Sequence, residues 1–333
     1  MYIEQIGEAG LIQRIKNKFP TNDRSIAIGI GDDAAIINPS SRKALLFSTD
    51  TIRENIHFSR KYCTFYDIGW KSVAVSISDI AAMGGLPKYL LLSIALPPKI
   101  SVKEIDKLLD GVADISTKYG VSVVGGNLSG SKGGVTIDTT IIGEVSSGKA
   151  LLRSGAKVGD LIYVTGVPGS SAIGLSMKTL SEDFMKSHLR PVPRVREGII
   201  LSENNLATAA IDISDGLLSD LGHICERSSV GARIYANLLP LPEVPHTIRK
   251  RLAKAPLFFA LYGGEDYELL FTIKGKNRTK LETISKRERV KFTIIGEIVP
   301  SVKGIRLVGE NRKETEIEPH GYDHFKSGRR RLC

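Results

Sequence analysis

The sequence predicts a mixed α/β protein of two domains, and three observations carry that reading. Short runs rich in Ile, Val and Leu alternate with stretches of helical periodicity. The chain has 333 residues, more than the roughly 250–300 at which a single core stops growing. Composition also breaks near Gly148, where apolar runs give way to the loop-like segment Leu152–Asp160. Domains are therefore expected over residues 1–148 and 149–333.

From the N-terminus, Ile6, Leu11, Ile12 and Ile15 recur at helical spacing and predict an amphipathic opening helix over 5–18. Strands are expected at 25–30, 44–49, 90–95, 121–124 and 135–143, with helices over 66–83 and 102–118 between them. Ser101, with Glu104 three residues later, forms a capping box for the second helix. Several strands follow one another closely enough to pair antiparallel, so the sheets should be mixed. After the break, Leu161–Thr165 opens a second block of strands and helices.

Composition narrows the function classes. A hydrophobic fraction of 42% and a charged fraction of 25% fit a folded globular chain. No apolar run approaches the roughly 18–20 residues of a membrane span, and the start Met1–Gly7 lacks a signal-peptide pattern. Cys63, Cys225 and Cys333 are odd in number and show no metal spacing, which predicts reduced thiols in a cytoplasmic protein. The net charge of +10 concentrates in 274–280, 286–289 and 329–331 without an aromatic stacking platform. A solvated basic face is expected there, not a nucleic-acid site.

Six segments carry the chemistry. Gly31-Asp32-Asp33, Ser48-Thr49-Asp50, Ser78-Asp79, Gly125-Gly126-Asn127, Asp212-Ile213-Ser214-Asp215 and Gly264-Glu265-Asp266 each end an apolar run on an acid or amide beside Gly, Ser or Thr. A carboxylate at the end of a buried strand is costly unless a cation meets it. Few Lys or Arg are neighbours in sequence, so hard divalent ions held by oxygen, magnesium above all, are the expected counter-charge beside a phosphate-rich substrate. Val75–Ile80 and Ile211–Gly216 echo each other, each reading as a strand that runs through Ile-Ser-Asp into a helix.

Other nucleotide motifs fail. Gly29-Ile30-Gly31-Asp32-Asp33-Ala34 nearly matches a dinucleotide fingerprint, but two carboxylates would sit where a bare pyrophosphate must approach. Walker A and protein-kinase patterns are absent. His57 is a lone histidine, and no Ser/His/Asp or Cys/His arrangement supplies a nucleophile.

Taken together and in order, Gly31-Asp32-Asp33-Ala34, Ser48-Thr49-Asp50, His57-Phe58 and Ser78–Gly84 resemble the thiamine-monophosphate kinase family. So do Arg153–Ala156, Asp212–Gly216, Gly263–Leu269 and Gly321–Phe325. The resemblance implies the fold of aminoimidazole ribotide synthetase and selenophosphate synthetase, with an N-terminal domain that dimerises through its sheet. It implies transfer of phosphate from ATP to thiamine phosphate. It assigns several magnesium ions to Asp33, Ser48, Thr49, Asp50, Asp79, Asp212 and Asp215, with Asn127 standing where many members have Asp. Gly125, Gly126, Arg153 and Ser214 are assigned to ATP, and His57, Glu265 and Tyr322 to thiamine phosphate. Asn55 and Ser170 also depart from the commonest pattern. Competing readings are another ATP-dependent synthetase of the superfamily, or a nucleotide-binding regulator that has lost catalysis.

Overall fold

The computed structural model describes residues 26–28, 32–37, 42–177, 182–244, 249–250, 252–309 and 311–322. The opening helix expected at 5–18, Gly31, Cys333, the basic tail and Asp323-His324-Phe325 lie outside the described residues, as do parts of the strand expected at 25–30.

The first sheet has six strands: β1 (Ile26–Ile28), β2 (Ala35–Ile37), β3 (Lys43–Arg53), β4 (Leu86–Leu96), β5 (Ser122–Gly130) and β6 (Thr136–Ser146). Their order is β1-β2-β3-β6-β4-β5. Only β4 and β5 run parallel, because helix α2 (Val102–Tyr119) makes the crossover between them. The Ser101/Glu104 capping box opens α2, and Gly120, at φ +67°, closes it in the left-handed region.

Helix α1 (Phe65–Ala82) opens with a second capping box, Thr64 with Asp67. It packs on α2 through two reciprocal glycines. A Cβ on Gly69 would stand 2.0 Å from the Leu108 carbonyl oxygen, and one on Gly111 would stand 2.1 Å from that of Tyr66. Either substitution forces the helices apart. Most of α1 is buried, including Lys71, Ser72, Ser76 and Ser78.

The second sheet contains β7 (Leu161–Thr165), β8 (Ala207–Asp212), β9 (Val230–Tyr235), β10 (Leu269–Ile273), β11 (Phe292–Pro300), β12 (Ile305–Val308) and β13 (Glu314–Glu316), in the order β13-β12-β9-β11-β7-β10-β8. Helices α3 (Ser170–Ser176), α4 (Glu182–Leu189), α5 (Val195–Glu203), α6 (Leu217–Ser228), α7 (Pro256–Tyr262) and α8 (Arg278–Glu288) accompany it. Among the described residues, no helix is long and apolar enough to cross a membrane.

Helix α1 is the hinge-pin between the halves. Its N-terminal side belongs to the first core, whereas Ala82 packs with Leu201, Leu269 and Phe271 of the second half. A Cβ on Gly198 of α5 would stand 2.0 Å from the Ala81 carbonyl oxygen. The segment before α5 is tied down as well: Trp70 Nε1 donates to the Pro191 carbonyl at 3.0 Å, and Tyr119 Oη to that of Pro193 at 3.0 Å.

Candidate active site

The helical phase of α1 sorts its polar side chains onto two faces. Ser72, Ser76 and Asp79, at i, i+4 and i+7, face the first sheet. There Ser76 Oγ donates to Asp50 Oδ2 at 2.7 Å and meets Thr139 Oγ1 at 2.7 Å, while Ser48 Oγ donates to Asp79 Oδ2. Lys71 and Ser78, at i and i+7, face the second half. Ser78 Oγ donates to Asp212 Oδ2 at 2.6 Å, a buried link between the two halves.

Asp33, Asp79 and Asp212 thus converge from the β1–β2 connection, the last turn of α1 and the end of β8. One carboxylate oxygen from each lies within 4.8 Å of the other two. Burial and mutual repulsion disfavour the charged forms of Asp79 and Asp212. Asp79 is held well above the usual carboxylate range by burial and by Asp50, Asp212 and Asp33. Asp212 is pushed to about 8 by burial and by Asp33. Asp50 is raised chiefly by burial. Among the described residues, no Lys or Arg forms an ion pair with Asp50, Asp79 or Asp212. An oxygen-only set of this kind suits a hard divalent cation, which would relieve the repulsion.

The premise that cations are scarce near the acidic segments is corrected for the rest of the set. They arrive from far away in sequence. Arg153 donates to both Asp33 oxygens, at 3.1 Å from Nε and 2.7 Å from Nη2. Lys71 Nζ stands 3.1 Å from Glu265 Oε1. Arg194 grips Glu268 with Nε and Nη2 at 2.6 and 2.5 Å, and Thr165 Oγ1 donates to the same carboxylate at 2.6 Å. Asp266 accepts from the Gly169 and Ser171 amides at 2.6 and 3.0 Å, and burial still pushes it to about 8.

Two backbone turns are zipped together beside the cluster. Ile213 N donates to the Glu268 carbonyl at 2.7 Å, Glu265 N to that of Ser214 at 2.7 Å, and Tyr267 N to that of Ile213 at 2.9 Å. Residues 212–216 and 263–268 are therefore one unit. Sequence reasoning missed Asp220, whose buried Oδ2 accepts the amides of Ser214, Asp215 and Gly216 at 3.1–3.2 Å. An acid in the first turn of α6 was the available signal. Tyr322 N donates to the Asp215 carbonyl at 3.3 Å, which places Tyr322 against this turn. The amide of Arg53 donates to His57 Nδ1 at 3.1 Å.

Four expectations change. Ser78-Asp79 ends no strand; it lies in the last turn of α1, so its echo with Ile211–Gly216 is one of sequence, not of structure. The Thr49 side chain does not join Ser48 and Asp50. Successive strand residues face opposite sides, and Thr49 Oγ1 instead donates to the Thr139 carbonyl at 3.0 Å and meets Thr140 Oγ1 at 3.1 Å. Gly125, Gly126 and Asn127 sit on exposed edge strand β5, three strand steps from β3, or about 14 Å. Asn127 pairs with Ser93 there. Gly126 also has a reason in the fold, since a Cβ would stand 1.8 Å from the Leu92 carbonyl oxygen. Glu265, finally, is buried against Lys71 instead of open to a ligand's charge.

Residues 31–145 match the AIR synthase related protein N-terminal domain, and residues 157–308 match its C-terminal domain. The two mixed sheets are therefore those of the AIR synthase related class. Thiamine-monophosphate kinase of Buchnera aphidicola subsp. Schizaphis graminum is 41% identical over 332 residues, covering 96% of this chain and 99% of that protein. The enzyme of Escherichia coli O157:H7 is 38% identical over 328 residues, covering 96% and 98%. A solved structure, AaThiL complexed with AMPPCP and TMP, aligns with a TM-score of 0.83 at 33% identity, covering 97% of this chain and 99% of that one. The chain belongs to the thiamine-monophosphate kinase family.

Proposed function

We infer that this chain transfers the γ-phosphate of ATP to thiamine monophosphate, giving thiamine diphosphate. The observation that carries this is the convergence of Asp33, Asp79 and Asp212, two buried and one partly buried, drawn from both halves of the chain, in a member of this family. The related AaThiL was solved with AMPPCP and TMP. Production of thiamine diphosphate from ATP, magnesium and thiamine monophosphate tests it, with free thiamine as the control acceptor. No product, or equal use of free thiamine, overturns the reading. ADP release that depends on thiamine monophosphate separates it from a different synthetase or an inactive regulator.

We propose Asp33, Ser48, Asp50, Asp79, Asp212 and Asp215 as the magnesium-holding set. Arg153 and Ser214 are proposed for ATP, and His57 and Tyr322 for thiamine phosphate. Bound divalent ions would neutralise two phosphates and hold them in line. The rest of the chemistry follows from the acceptor. A phosphate monoester has a second pKa of about 6 and is largely dianionic near neutrality, so it needs no general base. Direct transfer without a phospho-enzyme is proposed; trapping a phospho-protein from labelled ATP would sink that step. Arg153, now on Asp33, is positioned to turn to phosphate when a metal takes over that carboxylate. An aromatic ring such as that of Tyr322 would suit the cationic thiazolium.

Gly125, Gly126 and Asn127 remain candidates for ATP and metal contact through the exposed edge strand β5, where Val123, Val124 and Leu128 face solvent. That edge is the surface we propose for a homodimer, checked by light scattering on wild type and Leu128→Lys. The proposed domain boundary stays at 148–149, in the gap between the two family matches. A cytoplasmic location is supported by Cys63 and Cys225, which are unpaired and buried, with thiols pushed by burial to about 11 and about 12.

A further inference from the structure

We propose that Lys71 is a positioning residue for the thiamine-phosphate site, a role that rests on the function inferred above. Its side chain is 2% exposed in the middle of α1. A buried ammonium is tolerated only with dedicated partners, and those of Lys71 come from three separate segments. Nζ stands 3.1 Å from Glu265 Oε1 in the zipped turn, donates to the His57 carbonyl at 3.3 Å, and meets His188 Nε2 of α4 at 3.5 Å. Lys71 therefore joins two residues that the family resemblance assigns to the same substrate, one from each half of the chain.

The donor count fixes the network. An ammonium offers donors only, so the His188 nitrogen facing it accepts, and Nδ1 carries the ring proton. Nδ1 in turn lies 3.0 Å from Ser171 Oγ and 3.4 Å from Glu265 Oε2. Lys71, His188 and Glu265 close a triangle in which each charge or lone pair meets its complement. Glu265 thereby meets its counter-charge within the fold. It acts as a strut, held in a left-handed conformation at φ +64°. That conformation costs a non-glycine residue energy unless its surroundings enforce it.

Placement along α1 gives the strut its purpose. Lys71 lies eight residues before Asp79, about 12 Å along the helix axis. That separation matches the reach of an extended two-ring phosphate ester whose phosphate lies at the acidic cluster. The cluster end of α1 fixes the phosphate, and the Lys71 end fixes the walls around the rings.

The test is steady-state kinetics on Lys71→Met and on the double variant Lys71→Met/Glu265→Gln, which leaves no unpaired buried charge if the single variant folds poorly. Loss of a positioning contact should raise KM for thiamine monophosphate by about tenfold in both, with KM for ATP within about twofold of wild type. Lys71→Arg should recover part of the loss. The double variant should regain the melting temperature of wild type without regaining its KM, which a purely structural pair would not do. Unchanged KM for thiamine monophosphate, or equal rises for both substrates, overturns the role of Lys71. Wild-type protein inactive on thiamine monophosphate instead overturns the inferred function, and the two failures are read from different samples.

Discussion

Two acidic regions meet at the interface between the halves, and they are built on opposite principles. The turn Glu265-Asp266-Glu268 carries its own compensation: Lys71 for Glu265, two amides for Asp266, and Arg194 with Thr165 for Glu268. The set Asp50, Asp79 and Asp212 accepts hydrogen bonds from serine hydroxyls, of Ser76, Ser48 and Ser78, and has no ion pair among the described residues. The first region is buried, the second buried at Asp212 and partly buried at Asp50 and Asp79, and both are rich in carboxylates. A carboxylate that folds with its counter-charge is a fastener. One that folds without it stores repulsion that an incoming cation can relieve.

The largest expected effect comes from breaking the uncompensated set. Asp79→Asn should lower kcat by roughly a thousandfold, as expected when a main electrostatic support of phosphoryl transfer is lost. It should also raise the melting temperature of the metal-free protein, because a desolvated carboxylate crowded by Asp50, Asp212 and Asp33 is gone. Retained turnover would remove Asp79 from the set. Next comes the compensated turn. Glu268→Gln leaves the Arg194 guanidinium with only its longer pair to Glu197, at 3.8 Å, and should cost about 2–4 kcal/mol in denaturant unfolding. An unchanged unfolding midpoint would show that the pair is not a fastener.

The pH response sharpens the contrast. Burial and Asp33 push Asp212 from 3.8 to about 8, so the folded chain keeps a proton that the unfolded chain releases. Its contribution to stability is full below 3.8 and is lost as pH rises to about 8. Without divalent ions the melting temperature should therefore fall across that window, and magnesium should raise it more at pH 8 than at pH 5. A magnesium shift that is equal at both values would refute this. The smallest effect lies outside both regions: Ser101→Ala removes the cap of α2, should cost about 1 kcal/mol, and should leave both KM values alone.

Much of the frame was legible in the chain. The α2 capping box and strand β7 stand where local spacing placed them, because both depend on neighbours in sequence. Helix α1 spans 65–82 against an expected 66–83. The acidic residues were legible too, since an acid after an apolar run is a local signal. Their partners were not. Lys71, Arg153, Arg190 and Arg194 look like ordinary charges until folding brings them 74 to 194 residues across the chain, to Glu265, Asp33, Asp67 and Glu268. Face was equally hidden at Thr49, where one residue of strand phase decides between the cluster and the far side of the sheet.

The Ser78–Asp212 contact and the Lys71–Glu265 pair also bear on how the protein is made. The ribosome completes α1 long before its partners exist. About 190 residues separate Lys71 from Glu265, on the order of 10–40 s of synthesis at about 5–20 residues per second. During that interval the nascent chain displays an ammonium, a serine and the Ala81-Ala82 step on a helix otherwise ready to pack. The first half thus waits on the second, and a chain stalled near residue 150 presents a client surface for holdase chaperones instead of half an enzyme.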